Sequence, residues 1–140
     1  MFPSMHWRKQ GDLGEASALE WLIGQGWDVY VPFGHSEDCD LVAVIDGRYQ
    51  GVQVKTTSCF LRGRWQVSIC TRGGNQSWNG IVKRFSADRC DWLFVHVGDG
   101  RRWFIPAGEV DGGSGILVGG PKYAEFEIEA GRRLPLALAA

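Results

Sequence analysis

The 140-residue chain has four cysteines, at positions 39, 59, 70 and 90, and no two form a C-x-x-C pair. Scattered in this way they argue against a disulfide framework or a zinc site, and point to reduced thiols in a cytosolic protein. No apolar run is long enough to span a bilayer. The start, "MFPSMHWRKQ", lacks the apolar core and small-residue cleavage site of a secretory leader. The glycine-rich "DGGSGILVGGPK" has no K-[ST] ending and follows no strand-to-helix pattern, so it reads as a surface loop around a short strand rather than a phosphate-binding loop. Acidic side chains are also missing from one region. Residues 51–89 hold seven Lys or Arg and one acid, Asp88, whereas residues 1–50 hold three basic and eight acidic side chains. A net charge of −1 argues against a generic nucleic-acid coat. The positive middle third is either a surface that meets phosphates or a solvated face.

Hydrophobic content of 44% over 140 residues predicts one folded domain spanning 1–140. From Gly11 to Gly26 the spacing predicts a helix with Ala16, Leu19, Leu22 and Ile23 on one face. "WDVYVP", "DLVAVI", "YQGVQVKTT" and "WQVSICT" read as strands. Residues 73–90 read as a loop plus a short helix. "DWLFVHV" and "RRWFIPA" form a hairpin across Gly98-Asp99-Gly100, and "YAEFEIEA" alternates as a final strand. The fold class is α/β: an N-terminal helix followed by a mixed, mostly antiparallel sheet with added C-terminal strands.

The chemistry gathers on the hairpin. Asp46-Gly47 is a preferred type I′ pair, and with these two as the loop Ile45 opposes Arg48. That register puts Asp40 opposite Gln53, with Cβ atoms about 4.5–5.5 Å apart, and Lys55 on the same face. On a helical wheel Glu15 lies about 20° from Leu22 and about 40° from Leu19, inside the apolar stripe. A carboxylate there is either buried against a partner or a metal, or extends to solvent from the first turn. Two carboxylates, an amide oxygen and an ammonium suit metal-assisted phosphodiester hydrolysis. Asp40 is the main ligand to Mg²⁺, Gln53 offers its amide oxygen, and Glu15 binds directly or through water. Lys55 orients or helps deprotonate the attacking water and stabilises developing negative charge. Mn²⁺ is expected to substitute for Mg²⁺. Lys55 also has a plainer reading, as a charge that guards a strand edge. His96 reads as a core histidine.

The ordered set of a helical G-x-x-G-E, a G-W-x-V-x-x-P strand, an Asp opening the next strand and a closing Q-V-K resembles the PD-(D/E)XK nuclease superfamily, and within it the small-endonuclease branch that includes a group I intron homing endonuclease. The likeness runs over roughly residues 8–110. It implies a restriction-endonuclease-like core, with Glu15 as the helix acid, Asp40 as the metal-binding aspartate, Lys55 as the catalytic lysine and the Val54 carbonyl completing the metal site. Gln53 departs from the usual Glu or Asp, which removes one negative charge from the site. Cys39 stands where a proline often precedes the aspartate.

The function expected is a metal-dependent DNA endonuclease. Arg62, Arg64, Arg72, Lys83 and Arg84 would contact the phosphate backbone, and a homo-oligomer, dimer or tetramer, would supply the surface to read a long site or cut both strands. The alternatives are a catalytically silent nucleic-acid-binding or assembly module on the same fold, kept open by Gln53, or a nuclease acting on branched DNA or RNA.

Overall fold

The computed structural model describes residues 7–34, 38–72 and 82–135. In chain order it contains helix α1 (Trp7–Gly24) and strands β1 (Val29–Tyr30), β2 (Leu41–Ile45), β3 (Arg48–Thr57), β4 (Phe60–Leu61), β5 (Arg64–Ser68), β6 (Thr71–Arg72), β7 (Val82–Lys83), β8 (Trp92–Val97), β9 (Arg102–Pro106), β10 (Gly115–Val118) and β11 (Glu127–Ile128). The main sheet has the order β1-β2-β3-β8-β9-β11, and β10-β5-β4 and β6-β7 form two smaller sheets. Among the described residues the β3–β8 pair is parallel and the other pairs are antiparallel. This is the mixed, mostly antiparallel α/β arrangement expected from the sequence.

Asp46 (φ 51°) and Gly47 (φ 76°) both take the left-handed conformation, as a type I′ turn requires. The turn fixes the ladder from Ile45↔Arg48 to Leu41↔Val52. There β2 stops, while β3 runs on for five residues, paired through Thr57↔Val97 with β8 alone. From Gln53 onward the other edge of β3 is therefore open among the described residues.

Side chains of β3 alternate between two apolar layers. Val52 and Val54 pack with Ala18, Trp21 and Leu22 of α1 and with Phe94 and Phe104. On the opposite side Leu93, Val95 and Val97 of β8 pack with Trp65, Val67, Ile116 and Val118 of the β10-β5-β4 sheet. Full burial of side chains such as Leu22 and Phe94 contributes about 2 kcal/mol each. Gln53 and Lys55 belong to the second side, pointing between the two sheets.

Several elements differ from the sequence reading. Helix α1 starts at Trp7, four residues before Gly11. Its buried face is Gly14, Ala18, Trp21 and Leu22, whereas Ala16 is exposed and Ile23 is 58% exposed. The large Trp21 ring turns the helix, packing on Trp27, Phe94 and Phe104 with centroids 4.8–6.2 Å away. The first predicted strand shrinks to Val29–Tyr30, and "WQVSICT" divides into β5 and the start of β6. Among the described part of 73–90 there is no helix: Val82–Lys83 is a strand and residues 87–89 form a turn. The final strand shortens to Glu127–Ile128, because Tyr123 takes a left-handed φ of 69° and begins a 3-10 turn at Ala124–Phe126. Among the described residues no helix is long and apolar enough to cross a membrane.

A polar network ties the other flank of α1 to the C-terminal segment. Arg102, 3% exposed, donates to Glu20 Oε2 (2.6 Å), to the Glu129 carbonyl (2.7 Å), and to the Ser17 carbonyl and hydroxyl (3.3 and 3.2 Å). His96 Nε2 lies 2.7 Å from the Arg132 carbonyl, and its Nδ1 lies 2.7 Å from Ser17 Oγ. A carbonyl only accepts, so Nε2 carries the proton and the neutral ring takes the Ser17 hydroxyl proton at Nδ1. Burial holds His96 below its ordinary pKa, helped by the nearby Arg102 charge and opposed by the Arg132 carbonyl. His96 is thus a core histidine.

Candidate active site

The site lies where β2 ends and β3 continues. The Asp40 N–H donates to the Val52 carbonyl (2.9 Å), closing the ladder one residue before β2 begins. Its carboxylate then turns across the open edge of β3. Asp40 Oδ2 accepts from the Gln53 side-chain amide (2.9 Å) and from the Val54 N–H (2.7 Å). The Asp40–Gln53 juxtaposition inferred from the hairpin register is present, with one addition. The Val54 backbone group, which a longer β2 would have paired, becomes a ligand for the carboxylate.

Glu15 approaches the same edge from α1. It can do so because residue 14 is glycine: a Cβ there would overlap Thr56 Cγ2 and crowd Val54. The G-E pair is therefore a steric device that lets the helix settle onto β3 and delivers the following carboxylate. Glu15 and Asp40 face one another as two acids, and each raises the cost of ionising the pair. Burial, then the Asp40 charge, pushes the Glu15 carboxyl up to about 7. Asp40 is also raised by burial, against the lowering effects of the Val54 N–H, the Lys55 ammonium and Glu15. Glu15 is half-exposed rather than fully buried.

Lys55 comes from the opposite face of β3. Its Nζ donates to the Cys70 carbonyl (3.0 Å), just beyond β5, and burial lowers its pKa against the attraction of Asp40. The four predicted side chains are thus brought to one sheet edge, Glu15 from above, Asp40 in the plane, Gln53 and Lys55 from below. The Cys70 carbonyl that anchors Lys55 had no signal in the sequence.

Two carboxylates with an amide and a backbone carbonyl form an all-oxygen donor set of the kind hard divalent cations take. A cation placed there would relieve the repulsion that raises the Glu15 carboxyl. The residues fit a divalent metal on this ground. Among the described residues no group of three or more His, Cys, Asp or Glu side chains gathers for a metal.

The predicted basic contacts are spread along the second layer. Arg62 sits exposed in the β4–β5 turn (φ 54°), and Arg64, half-exposed, opens β5. Lys83 ends β7 and Arg84 follows it, exposed. The Arg72 backbone belongs to β6 while its side chain lies outside the described residues, as do His35, Glu37 and residues 74–78. Asp38 lies 3.8 Å from the Arg89 guanidinium and contributes nothing to the carboxylate pair.

No curated protein matches the chain in sequence. Among solved structures, a bacterial homing endonuclease, I-Ssp6803I, is similar in fold, with a TM-score of 0.62 at 20% identity over 84% of this chain and 83% of that one. A family model described as PD-(D/E)XK endonuclease matches residues 5–114. Since that match takes in α1, the hairpin and the edge on which Glu15, Asp40, Gln53 and Lys55 meet, the protein belongs to the PD-(D/E)XK endonuclease family.

Proposed function

We propose that this endonuclease is divalent-metal-dependent, with Mg²⁺ as the working ion, and that it hydrolyses phosphodiester bonds of DNA. The observation that carries this reading is the meeting of Glu15, Asp40, Gln53 and Lys55 at the open edge of β3. Asp40, Glu15, the Gln53 amide oxygen and the Val54 carbonyl would hold the cation. When bound, it lowers the pKa of water and neutralises charge on the phosphoryl oxygens. Gln53 now turns its NH₂ toward Asp40, and a rotation of the amide exchanges this for its oxygen. Glu15, its pKa raised by burial and the Asp40 charge, would have to be ionised to serve as a ligand. Lys55 Nζ, its pKa already lowered by burial, orients the attacking water, accepts its proton when neutral, and otherwise offsets charge on the phosphorane-like transition state.

Arg62, Arg64, Arg72, Lys83 and Arg84 hold the phosphate backbone. A homo-oligomer, dimer or tetramer, is supported by an exposed apolar patch at the β1 edge. There Tyr30 (52%), Val31 (65%), Phe33 (106%) and Tyr49 (71%) are exposed, with Tyr30 and Tyr49 in ring contact. Plasmid nicking in Mg²⁺ by wild type, Asp40→Ala and Lys55→Ala tests the mechanism. Wild type nicks and both variants are inactive; equal activity in all three sinks it.

The Gln53–Asp40 hydrogen bond also favours a second reading, a catalytically silent nucleic-acid-binding module, because it satisfies the carboxylate without a cation. Salt-sensitive DNA binding indifferent to Mg²⁺, with no cleavage of linear, supercoiled or branched DNA or of RNA, would select it.

A further inference from the structure

Beyond the catalytic edge, β3 leads into an open cleft of about 890 Å³. Its floor is the β5–β10 pair, and its rims are Thr56–Thr57 at the end of β3 and the loop from Gly120 to Tyr123. Thr56 and Thr57 directly follow Lys55, so the cleft opens roughly 3–7 Å along the strand from the catalytic position. Its far floor residue, Ser68, lies two positions from Cys70, the anchor of Lys55. Cleft and site are thus neighbours along β3.

The lining has no carboxylate and two cations, Arg64 and Lys122. These are remote in sequence, and Lys122 falls in the C-terminal third, where acidic side chains outnumber basic ones. The fold brings both onto one cleft. Arg64 lies flat against Gly120, where any Cβ would overlap the guanidinium, and Lys122 Nζ sits 5.2 Å from the Tyr123 ring centroid. At the other end of the β5–β10 ladder the wall offers the hydroxyls of Ser68 and Ser114. Cations, hydroxyls and glycine backbone are the groups that bind phosphate and sugar without reading sequence. A concave surface of this kind suits the convex sugar–phosphate ridge of a duplex, whereas base edges lie recessed and need a protruding element.

We infer that this cleft is a second DNA-contact site, in which Arg64 and Lys122 grip the backbone next to the scissile phosphate and fix the duplex in register on Lys55. The inference rests on the nuclease reading for its substrate, but its test does not depend on cleavage. Binding of a fluorescein-labelled 20-base-pair duplex is measured by anisotropy in EDTA over a range of KCl. Each lost phosphate contact lowers the slope of log K against log salt by about 1. Lys122→Gln and Arg64→Gln are each expected to lower it by that amount. Arg48→Gln, which removes an equal charge from the exposed β2–β3 turn, leaves it unchanged. Gly120→Ala, which displaces the Arg64 guanidinium and keeps the charge, lowers the slope like Arg64→Gln. Identical slopes for Lys122→Gln and wild type, or equal losses for Lys122→Gln and Arg48→Gln, overturn the cleft. Absent plasmid nicking with these slope changes intact would overturn the nuclease reading and leave the cleft standing.

Discussion

Helix α1 carries ionisable clusters on both flanks, and the two are built on opposite principles. On one side Arg102, His96, Ser17 and Glu20 are joined donor to acceptor, with the Glu129 and Arg132 carbonyls accepting from Arg102 and His96. On the other, Glu15 and Asp40 oppose like with like, and both carboxyls are pushed above their ordinary range. Both clusters are partly buried and polar, so burial alone does not separate a clamp from a reactive site. Complementarity does: a satisfied cluster holds the fold together, whereas one left with excess charge is set to receive something of opposite sign.

The contrast predicts opposite responses to mutation, and the largest should be catalytic. Asp40→Asn is expected to reduce plasmid nicking by about a hundred- to a thousandfold, on the order of a lost transition-state contact, without lowering the melting temperature. A drop in melting temperature would make Asp40 a member of the structural class. Next comes Arg102→Ala, which leaves the Ser17 and Glu129 carbonyls without their donor while the exposed Glu20 is simply hydrated, and should cost about 1–3 kcal/mol, read by urea denaturation. A neutral outcome would erase the distinction between the flanks.

Gly14→Ala falls between the two, since it overpacks the helix against Thr56. It should cost about 1–2 kcal/mol and reduce nicking, and Thr56→Ser, which deletes the overlapping methyl, should restore both. The smallest effect is on pH. In EDTA the native state holds the Glu15 proton more tightly than the unfolded chain does. The stability this lends is complete below about pH 4.5 and is lost as pH rises through about 7. His96 works in the other direction, its lowered pKa costing stability as pH falls. The clean readout is therefore the melting-temperature difference between Glu15→Gln and wild type, which should widen in favour of the variant from pH 5 to pH 8. A constant difference would mean that folding does not raise the Glu15 pKa.

What the sequence disclosed about this design followed the range of the interaction. The β2–β3 hairpin was legible because Asp46-Gly47 admits few turn geometries, and once the turn is fixed every later pairing follows. Glu15 was legible only as an oddity on an apolar stripe, and the stripe itself was misplaced. Periodicity weighs Ile23 and Trp21 alike, whereas packing against Trp27 and Phe104 favours the larger ring. The final strand failed for a local reason, the left-handed Tyr123, which residue alternation does not encode. The Ser17–His96–Arg102 network and the approach of Lys122 to Arg64 join distant segments. No window of sequence contains them.

The Gln53–Asp40 hydrogen bond bears on what the protein is between encounters with metal. A glutamate at position 53 would confront Asp40 and Glu15 with a third negative charge, and three carboxylates at one strand edge would drive one another apart until a cation arrived. The amide instead donates to Asp40 and keeps that carboxylate beside the Val54 N–H. A neutral residue thus leaves the strand edge assembled by its own hydrogen bonds, and under the proposed function a cation would meet a carboxylate already held in place.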